Sequence, residues 1–148
     1  MSETPAAKVA LDTGGSSGIG ECTVRELLDA GFVVYTVARR VDRMQPLAEL
    51  GAHVFAMDVT DDASMVAGVQ RIIDEQGRID VLVNNAGYGS YGAVEDVPID
   101  EARRQFEVNV FGLARLTQLV PPPNSHVTAS ARGGSQAVIV PPALPSSW

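Results

Sequence analysis

Four apolar runs punctuate the chain, and between them hydrophobic residues recur at helical spacing. The runs are Val9-Ala10-Leu11, Phe32 to Val37, His53 to Met57 and Ile79 to Val83. Unbroken β-prone runs without polar alternation are what strands covered on both faces require. After the first run, Ile19, Thr23, Leu27 and Ala30 fall on one predicted helix face, with Glu21, Arg25 and Asp29 off it and Gly31 as the stop. A short helix is predicted around Met44 to Leu50, ending at Gly51. Thr60 is the predicted N-cap of the next, with Asp61 and Asp62 in a first turn where negative charge suits the helix dipole. That helix presents Met65, Val69, Ile72, Ile73 and Gln76 to one side and ends at Gly77. Asp100 is the predicted cap of the last clear helix, whose inner face is Ala102, Phe106, Asn109 or Val110, Leu113, Thr117 and Val120. Strands alternating with helices predict an α/β fold: a parallel, Rossmann-like doubly wound sheet of right-handed βαβ units, truncated after about four strands in the order 3-2-1-4.

The periodicity stops at Pro121. Residues 121–148 hold six of the nine prolines and one charged residue, Arg132. Ala137-Val138-Ile139-Val140 is a candidate short fifth strand, cut off by Pro141-Pro142. The expected organisation is a partial nucleotide-binding domain over 1–120 and an irregular Pro/Ser-rich tail over 121–148.

Composition narrows the classes. A chain of 148 residues, 45% hydrophobic, is one domain's worth and can bury a core. A net charge of -7 argues against nucleic acid as a partner, which needs clustered Lys and Arg. The single cysteine, Cys22, rules out an internal disulfide framework and is expected to be a small buried filler; no metal centre is expected. Met1 to Lys8 shows no signal-peptide pattern and no apolar run reaches spanning length, so a cytoplasmic protein without membrane contact is the expectation.

The chemistry concentrates at Leu11 to Gly20, where an apolar strand enters a glycine-rich turn and a helix leaves it. Glycines allow a tight turn and close approach, and free N–H groups at the helix start attract an anion, so the stretch reads as a phosphate site. A second strand ending in arginines about 20 residues on is the layout of a dinucleotide site. Asp12 is out of place, because a carboxylate on a buried strand must be paired or take up a proton.

Over roughly Lys8 to Val120 the chain resembles the short-chain dehydrogenases/reductases. Thr13-Gly14-x-x-x-Gly18-Ile19-Gly20 resembles their cofactor loop, which assigns Gly14, Ser16, Ser17, Gly18, Ile19 and Gly20 to cofactor binding. Asp58-Val59-Thr60 resembles the adenine-contacting turn, and Asn84-Asn85-Ala86-Gly87 the motif that stabilises the sheet and borders the cofactor through Asn85, Ala86 and Gly87. Asn109, within Phe106-Glu107-Val108-Asn109-Val110, resembles the asparagine of the catalytic tetrad, which helps hold a proton-relay water. Each has a plainer reading: a strand-to-helix turn, a surface carboxylate, asparagines that satisfy buried backbone. Where NAD-binding members carry an acid, this chain has Ala38 followed by Arg39-Arg40, so NADP(H) is expected over NAD(H), with Arg39 on the 2′-phosphate.

The resemblance implies hydride transfer to or from a small carbonyl or alcohol, but the catalytic set is incomplete. The family uses a tyrosine with a lysine four residues later, plus a serine. The only lysine here is Lys8, and Tyr35, Tyr88 and Tyr91 are followed at that spacing by Arg39, Gly92 and Glu95. Pro141 to Pro145 stands where the family's strand would lead to its serine. Missing a positioned acid–base costs on the order of 10² to 10⁴ in rate. Two function classes are therefore carried: an NADP(H)-dependent oxidoreductase inactive in this form, and a non-catalytic nucleotide-binding or docking half-domain. Self-association is expected through an exposed sheet edge or the 100–120 helix. A reading-frame shift after Val120 would explain the tail, and finding no Tyr-x-x-x-Lys stretch in the other frames of the downstream DNA would count against it.

Overall fold

The computed structural model describes residues 6–16 and 18–120, together with the strand 136–139. Five parallel strands form one sheet in the order β3-β2-β1-β4-β5: β1 Val9–Thr13, β2 Val33–Ala38, β3 His53–Ala56, β4 Val81–Asn84 and β5 Gln136–Ile139. The expected four-strand order is present, and β5 pairs with β4, Val81 opposite Gln136, one residue earlier than the candidate 137–140. The remainder of the 121–148 tail lies outside the described residues, as does Ser17.

Alternation along the strands splits the core in two. Val9, Leu11, Tyr35 and Val37 face Met65, Val69 and Ile72 of helix α3 (Asp62–Gln76) and Leu116 of α5 (Leu113–Leu119). Val34 instead faces Val24 of α1 (Gly18–Asp29) and Leu47 of α2 (Gln45–Glu49). The sheet is thus buried on both faces, which is why its strands read as unbroken apolar runs. A 3₁₀ turn, Val41–Met44, precedes α2.

Three expectations fail for identifiable reasons. Cys22 is exposed, and Ile19 is 46% exposed, because α1 packs through Gly20 and Val24, rotated from the predicted stripe. Asp61, not Thr60, caps α3 by accepting from the Ala63 N–H, since the Thr60 hydroxyl is used by Asp58. The last helix is not one helix: α4 (Ile99–Phe106) and α5 are joined by a π segment, Glu107–Gly112, and α4 starts at Pro98 without a side-chain cap. The wider π turn rotates the helix face, which leaves Phe106 at 56% and Val110 at 44% exposure while Gly112 and Leu116 are buried.

Candidate functional site: a cleft at the carboxyl ends of the strands

A cleft of 610 Å³ opens beyond the carboxyl ends of β1, β2 and β4. This is the switch point of the sheet, where chain order departs from β1 in opposite directions and leaves a crevice. Its floor is built by Thr13. The buried Thr13 hydroxyl accepts from the Asn85 and Ala86 N–H groups, both at 3.1 Å, and donates to the Val83 carbonyl at 3.3 Å. One side chain thereby pins the loop after β4 to the loop after β1.

Glycine is required where those loops meet. Gly14 has φ +94°, and a Cβ there would stand 3.2 Å from the Ala86 backbone. A Cβ on Gly20 would collide with the Gly14 carbonyl and come within 2.5 Å of the Asn85 side-chain nitrogen. Gly20 therefore sits behind the loop and lets α1 approach it, while Gly14, Ser16, Gly18 and Ile19 line the cleft itself. The N-terminus of α1 opens on this space, with a dipole that favours an anion.

The opposite wall carries charge. Arg39, Arg40 and Arg43 line the cleft beyond the end of β2, with Asp58 and Val59 beside them. The Asp58 carboxylate accepts from the Thr60 hydroxyl at 2.7 Å and the Thr60 N–H at 2.9 Å. Those bonds, with a contribution from the Arg39 charge, hold its carboxyl below the usual range. Asp58 is thus ionised and committed to shaping the Asp58-Val59-Thr60 turn. Asn85, Ala86 and Gly87 form the third side, joined by Tyr88 and Val108.

Asn109 does not line the cleft. Its side chain clamps the Tyr88 backbone, accepting from the N–H at 3.0 Å and donating to the carbonyl at 2.7 Å. Through Tyr88 it braces the wall from the π segment. Tyr35 points the other way: it is buried on the α3 side, donating to Glu75 at 2.6 Å and accepting from Gln76 at 3.0 Å. Arg43 and Val108 were not singled out from the sequence. Arg43 was legible in principle, since a buried Met44 at a short helix start places its neighbour over the strand end.

Asp12 lies just below the floor. By strand alternation it faces α1, between Thr36 of β2 and Val83 of β4. It is fully buried, neither carboxylate oxygen has a hydrogen-bond partner, and burial pushes its carboxyl up to about 8.

Comparison with known proteins agrees with this geometry. The short chain dehydrogenase family model matches residues 8–139, and the chain belongs to that family. The uncharacterized oxidoreductase YusZ of Bacillus subtilis is 40% identical over 123 residues, covering 78% of this chain and 43% of that protein. The alcohol dehydrogenase of the archaeon Thermococcus sibiricus, complexed with 5-hydroxy-NADP, is 33% identical with a TM-score of 0.70, covering 76% of this chain and 51% of that one. The 3-ketoacyl-(acyl-carrier-protein) reductase of Brucella melitensis, complexed with NADH, is 35% identical with a TM-score of 0.72, covering 75% and 48%. The chain thus spans about half the length of the relatives it matches. Solved relatives are complexed with nicotinamide cofactors, and this cleft fits one: a loop packed so closely that Gly14 and Gly20 admit no side chain, a helix N-terminus, and a cationic lip.

Proposed function

We propose that this chain binds NADP(H) and is the cofactor-holding part of a short-chain oxidoreductase acting on a small carbonyl or alcohol. The observation that carries the reading is the end of β2, where Ala38 replaces an acid and Arg39 and Arg40 line the cleft with no carboxylate bonded to either. In this reading Gly14, Ser16, Ser17, Gly18 and Ile19 receive the pyrophosphate, with Gly20 permitting the close approach. Asp58 and Val59 border the adenine, Arg39 meets the 2′-phosphate, and Asn85, Ala86 and Gly87 border the nicotinamide half. The bound nicotinamide would supply or accept the hydride. The chain's own residues orient it and exclude water, and no tyrosine–lysine pair is present to move the accompanying proton.

Binding without turnover is therefore the expected behaviour, and a non-catalytic nucleotide-binding or docking module is the second reading. It is favoured by the apolar surface left open at Phe106, Val110 and Phe111, through which a second copy or a partner would associate. A cytoplasmic location goes with either reading; no helix among the described residues is long and apolar enough to cross a membrane. Titrating the chain into NADPH and NADH by fluorescence tests the assignment, with carbonyl reduction followed by NADPH absorbance. NADPH should bind more tightly than NADH, and Arg39→Ala should remove the difference. Equal loss for both nucleotides would show that Arg39 does not read the phosphate.

A further inference from the structure

One buried group below the cleft floor has no task. Asp12 is fully buried with neither oxygen bonded, one residue before the Thr13 that ties the two loops together. Directly opposite it on β2 stands Thr36, equally buried, with its hydroxyl donated to the Met44 sulfur at 3.7 Å. Sulfur is a weak acceptor. A strong acceptor therefore goes without a donor while the neighbouring donor is held by a poorer one. The glycine-rich turn rests on the same hydroxyl, since a Cβ on Gly15 would collide with Thr36 Oγ1.

We propose that Asp12, Thr36 and Met44 form a proton-controlled switch beneath the glycine-rich turn, which makes nucleotide binding by this chain proton-linked. This rests on the reading of the cleft as a nucleotide site. With Asp12 neutral, Thr36 stays on Met44 and the turn keeps its seat. Once Asp12 loses its proton, the carboxylate needs a donor. Adjacent strands stand only about 4.8 Å apart, so a change of the Thr36 rotamer supplies the nearest one. That change releases the Met44 anchor of the 3₁₀ turn and withdraws the hydroxyl from under Gly15. The new charge also competes with the nucleotide's phosphates for the positive end of α1, and repels them through a layer that screens far less than water. Both effects oppose the bound nucleotide, so binding retains the proton.

No charged group among the described residues offsets Asp12. Helix α1 buries Gly20 and Val24, while Glu21 and Arg25 pair with each other at the surface and Cys22 is exposed. The flanking strands contribute Thr36 and Val83. The 3₁₀ turn contributes Met44, with Asp42 and Arg43 exposed, and α2 contributes Leu47, with Glu49 exposed. Arg39 and Arg40 are exposed beyond the end of β2. Burial alone therefore governs the carboxyl and pushes it up to about 8, so the switch turns over just above neutral pH.

Calorimetric titration of NADPH into the full chain, in buffers of differing ionisation enthalpy, reads the proton directly. At pH 8 the wild type should take up about half a proton per nucleotide, and its affinity should fall up to about fourfold from pH 7 to pH 8.5. Circular dichroism at each pH checks that the chain stays folded. Asp12→Asn should lose both the uptake and the fall in affinity. Thr36→Val removes the donor that would receive the carboxylate, so the midpoint of uptake should move to higher pH, whereas Thr36→Ser should keep it. Equal proton uptake by the wild type and Asp12→Asn would overturn the switch and leave the nucleotide reading standing. A midpoint unmoved in Thr36→Val would overturn the part given to Thr36, and with it the three-residue switch. Wild-type protein that binds NADPH at no pH between 6 and 9 would overturn the nucleotide reading and this inference together.

Discussion

Replacing Asp12 by valine should stabilise the protein, by an amount that grows with pH. Asp12 is fully buried between Thr36 and Val83 with both oxygens unbonded, so the folded state accommodates it as the neutral acid. Burial raises its carboxyl from 3.8 to about 8, whereas the unfolded chain keeps the ordinary value. The folded state therefore holds this proton more tightly than the unfolded one. Its stabilising effect is complete below pH 3.8, is lost as pH rises, and is gone above about 8. Each pH unit in that window is worth about 1.4 kcal/mol, so the stability contribution falls by about 4 kcal/mol between pH 5 and pH 8. Domains of this size have only about 5–15 kcal/mol in all. Valine removes the carboxyl at similar volume and ends the titration; asparagine keeps the shape without a charge. Urea unfolding of the wild type, Asp12→Val and Asp12→Asn at several pH values from 5 to 9 measures the effect, since the other titrating groups cancel between proteins. The gap between wild type and Asp12→Val should widen steadily up to pH 8 and then level off. Parallel stability curves for the two across this range would refute the argument and imply a partner for the carboxylate.

Other expectations concern the cleft's supports. Thr13→Ala leaves the Ala86 N–H without its acceptor and the Asn85 N–H with only the Val83 carbonyl at 3.1 Å, and should cost about 1–3 kcal/mol in denaturant melts, with most of the loss absent in Thr13→Ser, which keeps the hydroxyl. Gly112→Ala places a methyl into the Val59 carbonyl and 3.0 Å from the Glu107 carbonyl. It should cost about 1–3 kcal/mol and, on the proposed binding mode, weaken 5′-AMP binding through the displaced Val59 turn; unchanged 5′-AMP affinity would disconnect the π segment from the cleft. Asn109→Ala removes both bonds to the Tyr88 backbone, so limited proteolysis should cut the 88–98 loop faster, with a stability loss of about 1–2 kcal/mol.

Much of the cleft was legible in the chain because its elements are local. A glycine-rich turn between a strand and a helix, a strand ending in arginines, and Asn84-Asn85-Ala86-Gly87 after a fourth strand each state their chemistry within a few residues. The sheet order followed because unbroken apolar runs joined by helices admit few arrangements. The α1 face followed only in part: Leu27 packs against the core as expected, but the helix seats itself through Gly20 and Val24, and the need to bring it against Gly14 leaves Ile19 outside.

What the sequence determined by itself was therefore the parallel α/β class, the glycine-rich turn between strand and helix, and the lack of a tyrosine–lysine pair, which is a matter of residue identity. Tertiary structure decided the rest. Asn109 became a backbone clamp because the π segment turns its side chain to Tyr88. Arg43 joined Arg39 because Met44 is buried under Thr36. Asp12 became a buried, protonated acid because no donor from α1, β2 or β4 reaches it. Side-chain pairing across elements distant in sequence depends on packing, and one-dimensional periodicity carries no record of which donor meets which acceptor.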